Sequence, residues 1–576
     1  MAVAGIALAP RAWAVSAAAV ALPATLTAAD VLVTDAPRLA VLAPQLAFGP
    51  AVLGVPGTTL RQLHDQSPLW RDVQAVVATD VALVRQGDKT AGVGMRFGHR
   101  MFDVRWLQSP DATLDLIGVA LRMDRRPFTP RQCGELRAIY RLAYTTGHAA
   151  SRLPMTINVV RSLPGDCASF ARRGPHGVAA VLDQWAKLPL KAVELNVQTV
   201  RWPSTVRPDL GGHAEYALRV LVPRDGHLVP GPMENQPDVA RIAADPVLRA
   251  LLLAWLRLPA TPRAIDDGLA QSPQALWATA AVSYAPRGMM RAPNRPWQQL
   301  LSDTDVLALG GGDKVLGATR LRRLDQQSCT GCHHSKSVAG FHLPGATLGG
   351  GGLVTGRLAV AMSPHVAADM PRRQAYVLAL AMGTTPTDAR LPPEAPREPG
   401  QAQHGEHCGL ALEKGWHCAP GLQCTQVDDP EVGVCLPPQP AIGDPCAPGL
   451  VRAGKRPGNE SVPVTAALDC GAGYCESSRV GFPAGLCAAQ CSVAAGAAFP
   501  CAGIPGIGPF NACLARGEPF DKCAVTALRP ARLRACDAQR PCRDDYACMA
   551  ASATVAVCMP PYFLQELRMD GHPAPR

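Results

Sequence analysis

One pentapeptide of the 576-residue chain, Cys329-Thr330-Gly331-Cys332-His333, combines residue types whose chemistry follows from their spacing. Two thiols three positions apart can join the two vinyl groups of one porphyrin, and a histidine directly after the second thiol brings an imidazole onto its iron. Composition alone yields about 0.02 such matches in a chain of this length, and the motif stands clear of the cysteine-dense tail. The expectation is one covalently attached haem c, anchored by Cys329 and Cys332 and ligated by His333. Zinc is the rival, since Cys329 and Cys332 with His333, His334 or His342 could supply two thiolates and two imidazoles. Adjacent histidines suit a tetrahedral ion poorly, however, and structural zinc sites draw on two separated pairs. A plain disulfide between Cys329 and Cys332 is the third alternative.

The neighbouring sequence supplies elements to position this motif. Residues 319–328 predict a helix with Leu321 and Leu324 on one face, and Gly345 with Gly349 to Gly352 predicts a flexible crossing loop. Residues 371–382 predict a second helix with Ala375, Leu378, Ala379 and Met382 on one face and Gly383 at its end. Helix, CxxCH, glycine-rich loop and closing helix resemble a class I cytochrome c domain over residues 313–383, about an eighth of the chain. The stretch from Ser337 to Gly345, Ser-Val-Ala-Gly-Phe-His-Leu-Pro-Gly, also resembles part of secreted bacterial haem proteins.

The cytochrome resemblance implies further roles. The second ring nitrogen of His333 should donate to a backbone carbonyl a dozen or so residues on, for which Pro344 is placed. Met362, preceding the closing helix, is the expected distal ligand, with His365 as its alternative and His342 a weaker one. Methionine on iron raises the potential and favours electron transfer, whereas histidine or an open site lowers it or admits small ligands. Met370 and Met382 read instead as helix-packing residues. Arg320, Arg322, Arg323, Lys336 and Arg357 surround the motif in sequence; one or two could pair with haem propionates, although a solvated helix face is the plainer account of each.

Before the motif, residues 30–312 read as an α+β domain. Val193, Leu195, Val197 and Thr199 alternate with Glu194, Asn196 and Gln198, and Met155, Ile157 and Val159 alternate with Thr156 and Asn158; a third alternating run spans 136–144. A helix is expected over 178–187, closed by Pro189, and another over 247–258, where Asp245 caps, Pro246 takes the first position and Pro259 ends the run. Cys133 and Cys167 flank two of the strands, which predicts a disulfide; a catalytic thiol is the alternative, and His176 reads as a loop residue. With aromatics at 5%, the core should be built of small aliphatics.

After the motif, residues 384–407 are rich in proline and charge and read as a linker. Sixteen of the 20 cysteines then fall between Cys408 and Cys558. The series Cys408, Cys418, Cys424, Cys435-Leu-Pro-Pro is echoed by Cys536, Cys542, Cys548, Cys558-Met-Pro-Pro, which predicts a disulfide-rich, loop-dominated module over 408–576 with repeated units. The fold expected is thus an α+β N-terminal domain, a small all-α cytochrome c-like segment and a disulfide-rich, loop-dominated C-terminal module.

Dense cysteines point to an oxidising compartment. Arg11, the apolar stretch Ala12 to Leu22, Pro23 and the small residues Thr27, Ala28 and Ala29 resemble a signal peptide over residues 1–29. The expected location is periplasmic or extracellular in a bacterium, without a transmembrane anchor. A net charge of +10 with no long basic run gives no reason to expect nucleic-acid binding. No GxSxG, HExxH or phosphate-loop pattern appears, and Gly310-Gly311-Gly312-Asp313-Lys314 reads as a turn. The expected function is electron transfer or redox and ligand sensing by one haem, with a redox protein as partner. The other reading is a surface binding protein whose cysteine-rich module contacts a protein or glycan, with haem auxiliary.

Overall fold

The computed structural model describes residues 31–438 apart from 94–97, 130, 148, 166, 174–177, 179–181, 183, 202–212, 286–291, 334–353, 356–363, 397, 399, 412, 414 and 427–430, and beyond them short strands, Cys536–Asp537 and 572–576. The 1–29 leader lies outside the described residues, as do His176, His334, Lys336, His342, Pro344, Arg357 and Met362.

The alternating runs fold into one large sheet. Its strands are β1 (Leu32–Val33), β2 (Ala112–Arg122), β3 (Gln132–Thr145), β4 (Ala150–Pro164), β5 (Leu190–Arg201), β6 (His213–Arg224) and β7 (His227–Pro230), neighbours in that order and antiparallel throughout. β8 (Ala281–Ala285) pairs antiparallel with β6, and β9 (Val354–Thr355) lies parallel to the start of β4. Period two separates the faces. Val193, Leu195 and Val197 of β5, with Met155, Ile157 and Val159 of β4, enter the principal core. Glu194, Asn196 and Gln198 turn to the opposite face.

Helix α1 (Pro68–Thr90) covers the core face with Trp70, Val73 and Val77. The indole of Trp70 donates to the Leu107 carbonyl (3.0 Å), and the Tyr140 hydroxyl donates to that of Leu46 (2.8 Å). Aromatics are scarce in the chain, yet Trp70, Trp106, Trp297 and Tyr140 are among its largest fully buried side chains, so the aliphatic core expected from composition is organised around a few rings. The Cys133–Cys167 disulfide forms as expected, joining β3 to helix α2 (Cys167–Arg173), which removes Cys133 and Cys167 as free catalytic thiols. Helix α3 (Pro246–Leu256) starts where its cap requires, with Asp245 accepting from the Val247 and Leu248 amides. Of the expected 178–187 helix, the described part ends in a single 3-10 turn, Trp185–Lys187.

The helices around the motif differ in extent from expectation. Helix α4 (Lys314–Gln326) begins earlier, at the Asp313 cap, and leads into the short helix α5 (Cys329–His333). Helix α6 (Pro364–Ala381) starts seven residues before the expected 371 and holds Pro371 inside it; His365 falls in its first turn. These helices are seated on the larger domain. α5 packs on β8, and α6 packs on α2 and on the turn Met123–Phe128.

Residues 384–407 are likewise joined to the domain. Glu394, 3% exposed, accepts from Arg322 and Gln326 of α4, Asp388 accepts from Tyr376, and Arg390 pairs with Asp124. Buried ion pairs, invisible to a composition that reads as a linker, hold this segment in place. In the tail, β10 (His407–Gly409), β11 (Gln423–Thr425) and β12 (Val432–Leu436) form a small sheet bound by Cys408–Cys424 and Cys418–Cys435. Cys424 faces Cys435 across one strand pair and Cys548 faces Cys558 across another, so the echo between the two units extends to backbone register. No helix among the described residues is long and apolar enough to cross a membrane.

Candidate haem-attachment site

The two middle residues of the motif are fixed by their surroundings. Thr330 donates through its amide and its hydroxyl to Gln236 Oε1 (3.0 and 3.1 Å). The Gly331 amide donates to Ser328 Oγ (3.1 Å), which in turn donates to the Asp325 carbonyl (2.7 Å). A Cβ on Gly331 would lie 2.0 Å from that same carbonyl, so only glycine lets α5 fold back onto the end of α4. Asp325 itself accepts from the Trp297 amide (2.8 Å), and Asn294 clamps β8 by hydrogen bonds to both backbone groups of Tyr284.

This packing sets the His333 imidazole, 2% exposed, against the polar face of the sheet. Its Nδ1 lies 2.8 Å from Ser283 Oγ on β8, and its Nε2 lies 3.2 Å from Asn196 Nδ2 on β5. Tyr216 of β6 supplies a ring wall at 4.9 Å and is held by Gln198, whose amide donates to its hydroxyl (2.7 Å). With the Asn196 amide donating to Nε2, Nδ1–H donates to Ser283. Nε2 then carries the lone pair. Asn196 Oδ1 is buried without a partner.

Cys329 and Cys332 are half-buried reduced thiols, whereas Cys133, Cys167, Cys408, Cys418, Cys424, Cys435 and Cys536 are all disulfide-bonded. The Cys329 thiol donates to the Glu234 carbonyl (3.4 Å). Burial, with the charges of Glu234 and Glu194, pushes this thiol well above its usual range. Burial also raises the Cys332 thiol, against the pull of Arg390 and Arg122. Burial thus favours the neutral thiol at both sulfurs.

Charged residues surround the thiols. Asp124, 2% exposed, accepts from Arg122 (2.8 Å), Arg372 (2.8 Å) and Arg390 (3.3 Å), and Asp369 accepts from Arg372 and Arg373 (2.6 Å each). Arg125 pairs with Glu234. Arg125 and Arg390 lie over the Phe128 ring, 4.2 and 4.6 Å from its centre. On the sheet, Glu135 sits between Arg137 and Lys191 (2.6 Å each); burial alone would raise its carboxyl, but these cations hold it well below the usual range.

The arginines expected at the propionates are engaged elsewhere. Arg320 pairs with Asp266 (2.9 Å), Arg322 with Glu394 (2.7 Å) and Glu431 (3.3 Å), and Arg323 reaches the Arg390 carbonyl. The group that does approach the motif comes from the Met123 turn, α6 and residue 390. Sequence spacing concealed it, because Asp124 lies 248 and 266 residues before its partners Arg372 and Arg390. Among the expected distal residues, Met362 and His342 are outside the described residues and the His365 side chain is not described. Ser283 stands beside Nδ1 of the His333 ring, and Pro344 lies outside the described residues.

The donor set can be compared with the two cofactors considered. The sulfurs and the imidazole do not converge within the 4.8 Å span of a preformed metal site; the group that does, Cys408, Cys418 and Cys435, is committed to disulfides. A single zinc ion therefore finds no ready site among the described residues. A covalent haem would draw instead on two thiols and one imidazole whose Nδ1 is held by an acceptor, and Cys329, Cys332 and His333 supply those groups. One contact opposes it: the Asn196 amide stands on Nε2. Turning it aside forfeits one neutral hydrogen bond, about 1 kcal/mol, from an amide already left half-satisfied.

No family model matches the chain, and neither a curated protein nor a solved structure matches it.

Proposed function

We propose that this chain is an exported monohaem c-type protein that carries electrons or senses redox state or small ligands. Cys329 and Cys332 would hold the porphyrin as thioethers, and His333 would ligate the iron through Nε2. The haem, when bound, supplies a one-electron couple. The observation that carries the reading is the pair of reduced thiols beside a buried imidazole held by Ser283, in a chain where Cys133, Cys167, Cys408, Cys418, Cys424, Cys435 and Cys536 are disulfide-bonded. An oxidising compartment would close Cys329 and Cys332 or attach something to them.

The chain's own residues do the positioning. Ser283 accepts from Nδ1 and fixes the imidazole plane, Tyr216 walls one side, and Thr330 with Gly331 lock α5 to Gln236 and Asp325. The disulfides fit export. Met362 or His365 remains the proposed sixth ligand, a redox protein the proposed partner, and the periplasm or cell exterior the proposed location.

The test is expression in cells with a cytochrome c maturation system. Haem should persist through acid-acetone extraction and denaturing electrophoresis, because thioether bonds survive unfolding. The Cys329→Ala/Cys332→Ala variant should lose it. Colourless wild-type protein from competent cells, or zinc in its place, sinks the proposal.

A further inference from the structure

We propose that residues 572–576, His-Pro-Ala-Pro-Arg, are an intramolecular peptide ligand of the α+β domain, held on a patch of Asp111 and Tyr144, and that they latch the cysteine-rich module back onto that domain. Both ends of the segment are engaged. Arg576 donates through Nε to Asp111 Oδ2 (2.7 Å) and through Nη2 to Oδ1, a two-pronged grip on one carboxylate. His572 Nδ1 lies 2.9 Å from the Tyr144 hydroxyl, and the two rings meet edge to face with centroids 5.5 Å apart. The partners lie 465 and 428 residues away along the chain. On the receptor side the sheet sets the patch in advance. The Thr145 amide donates to the Asp111 carbonyl (2.9 Å), which joins the carboxylate just ahead of β2 to the end of β3, and Trp106 stacks on Tyr144 with centroids 4.2 Å apart. Tyr144 is 2% exposed and the Asp111 side chain 8%.

The segment is built for this mode of binding. Pro573 and Pro575 fix their own backbone angles and bias His572 and Ala574 toward extended conformations, so the peptide pays little entropy on docking. Four extended steps of roughly 3.1 Å set His572 and Arg576 about 12 Å apart. Two prolines also remove the amides that an added strand would need, so recognition falls to the side chains at the two ends. The Arg576 side chain is 73% exposed over its nearly buried partner, which makes the contact reversible and sensitive to salt. A first point of attachment is already formed where Glu431 of the cysteine-rich module pairs with Arg322 of α4 (3.3 Å). The latch adds a second, so the module is held near both of its ends. This inference does not depend on the haem reading.

The test uses the full chain with a photo-crosslinker at the exposed position between the prolines, Ala574→p-benzoylphenylalanine, which leaves His572 and Arg576 in place. Irradiation followed by trypsin should join the segment to peptides 106–122 or 142–152 of the same chain, which carry Asp111 and Tyr144. Asp111→Asn and Arg576→Gln should each lower the yield several-fold, as should molar salt. Arg576 is exposed, so its variant tests the contact without disturbing the core. Asp111→Arg combined with Arg576→Asp should restore the crosslink that either change alone removes, a rescue that general loosening of the fold would not give. Absence of the crosslink, or wild-type yield in both single variants, overturns the assignment. Crosslinks found only between two copies of the chain overturn the intramolecular latch and make the patch an interface between copies.

Discussion

Asp325 lies 1% exposed at the foot of α5, where its carbonyl contacts the Gly331 turn and its carboxyl caps the Trp297 amide. Burial pushes its carboxyl up to about 8, against the partial relief of the Trp297 amide and Arg295. The folded protein therefore keeps this proton to about pH 8, while the unfolded chain releases it near the ordinary 3.8. Because the native state binds more protons in that window, stability should fall as pH rises, with a slope approaching about 1.4 kcal/mol per pH unit from this residue. Denaturant midpoints at pH 5 and pH 7.5 should differ in the wild type and differ much less in Asp325→Asn. Equal slopes in the two proteins would show that Asp325 ionises freely in the fold.

Among the elements, β3, β4 and the helix that follows them owe their arrangement to a covalent tie. Cys133 is fully buried on β3 and its partner Cys167 opens α2, 34 residues on. The alternation of the two strands set their faces, and the cysteines flanking them were legible as a staple for that reason. Closing a loop of this length restricts the unfolded chain by about 3–4 kcal/mol. The Cys133→Ser/Cys167→Ser variant should lose roughly that much in urea unfolding, and peptide mapping without reductant should recover the two cysteines joined. A variant as stable as the wild type would mean that the tie adds nothing beyond packing. The helices expected over 319–328 and 371–382 form with earlier starts, because Asp313 caps the first and the second runs on through Pro371.

At the scale of the molecule, Arg322 of α4 binds Glu394 of the 384–407 segment, at depth, and at the same time the half-buried Glu431 of the cysteine-rich module. The region carrying CxxCH, the segment after it and the first tail unit are thereby joined through one guanidinium. Removing the nearer carboxylate in Glu394→Ala leaves a buried cation with the weaker partner, at a cost of about 3 kcal/mol. Limited proteolysis should then cut first within 384–407, and unfolding should occur at lower denaturant. Wild-type stability and an unchanged cleavage pattern would show this segment to be the linker that its composition suggests.

What the sequence determined by itself was local chemistry: two thiols and an imidazole in CxxCH spacing, strand faces from alternation, an Asp-Pro helix start and a pair of cysteines bracketing two strands. Each is a relation among residues a few positions apart, or among like residues whose pairing is simple. Glu194, Asn196 and Gln198 were legible as one face of β5, but nothing local revealed that this face receives His333. Ser283, Asn196 and Tyr216 meet the imidazole only because β5, β6 and β8 are neighbours in the sheet, and Arg122, Arg372 and Arg390 meet Asp124 only through the docking of α6 and residue 390 on the Met123 turn. Charge carries no period that a sequence can display, so its pairing across hundreds of residues was decided by the tertiary structure alone.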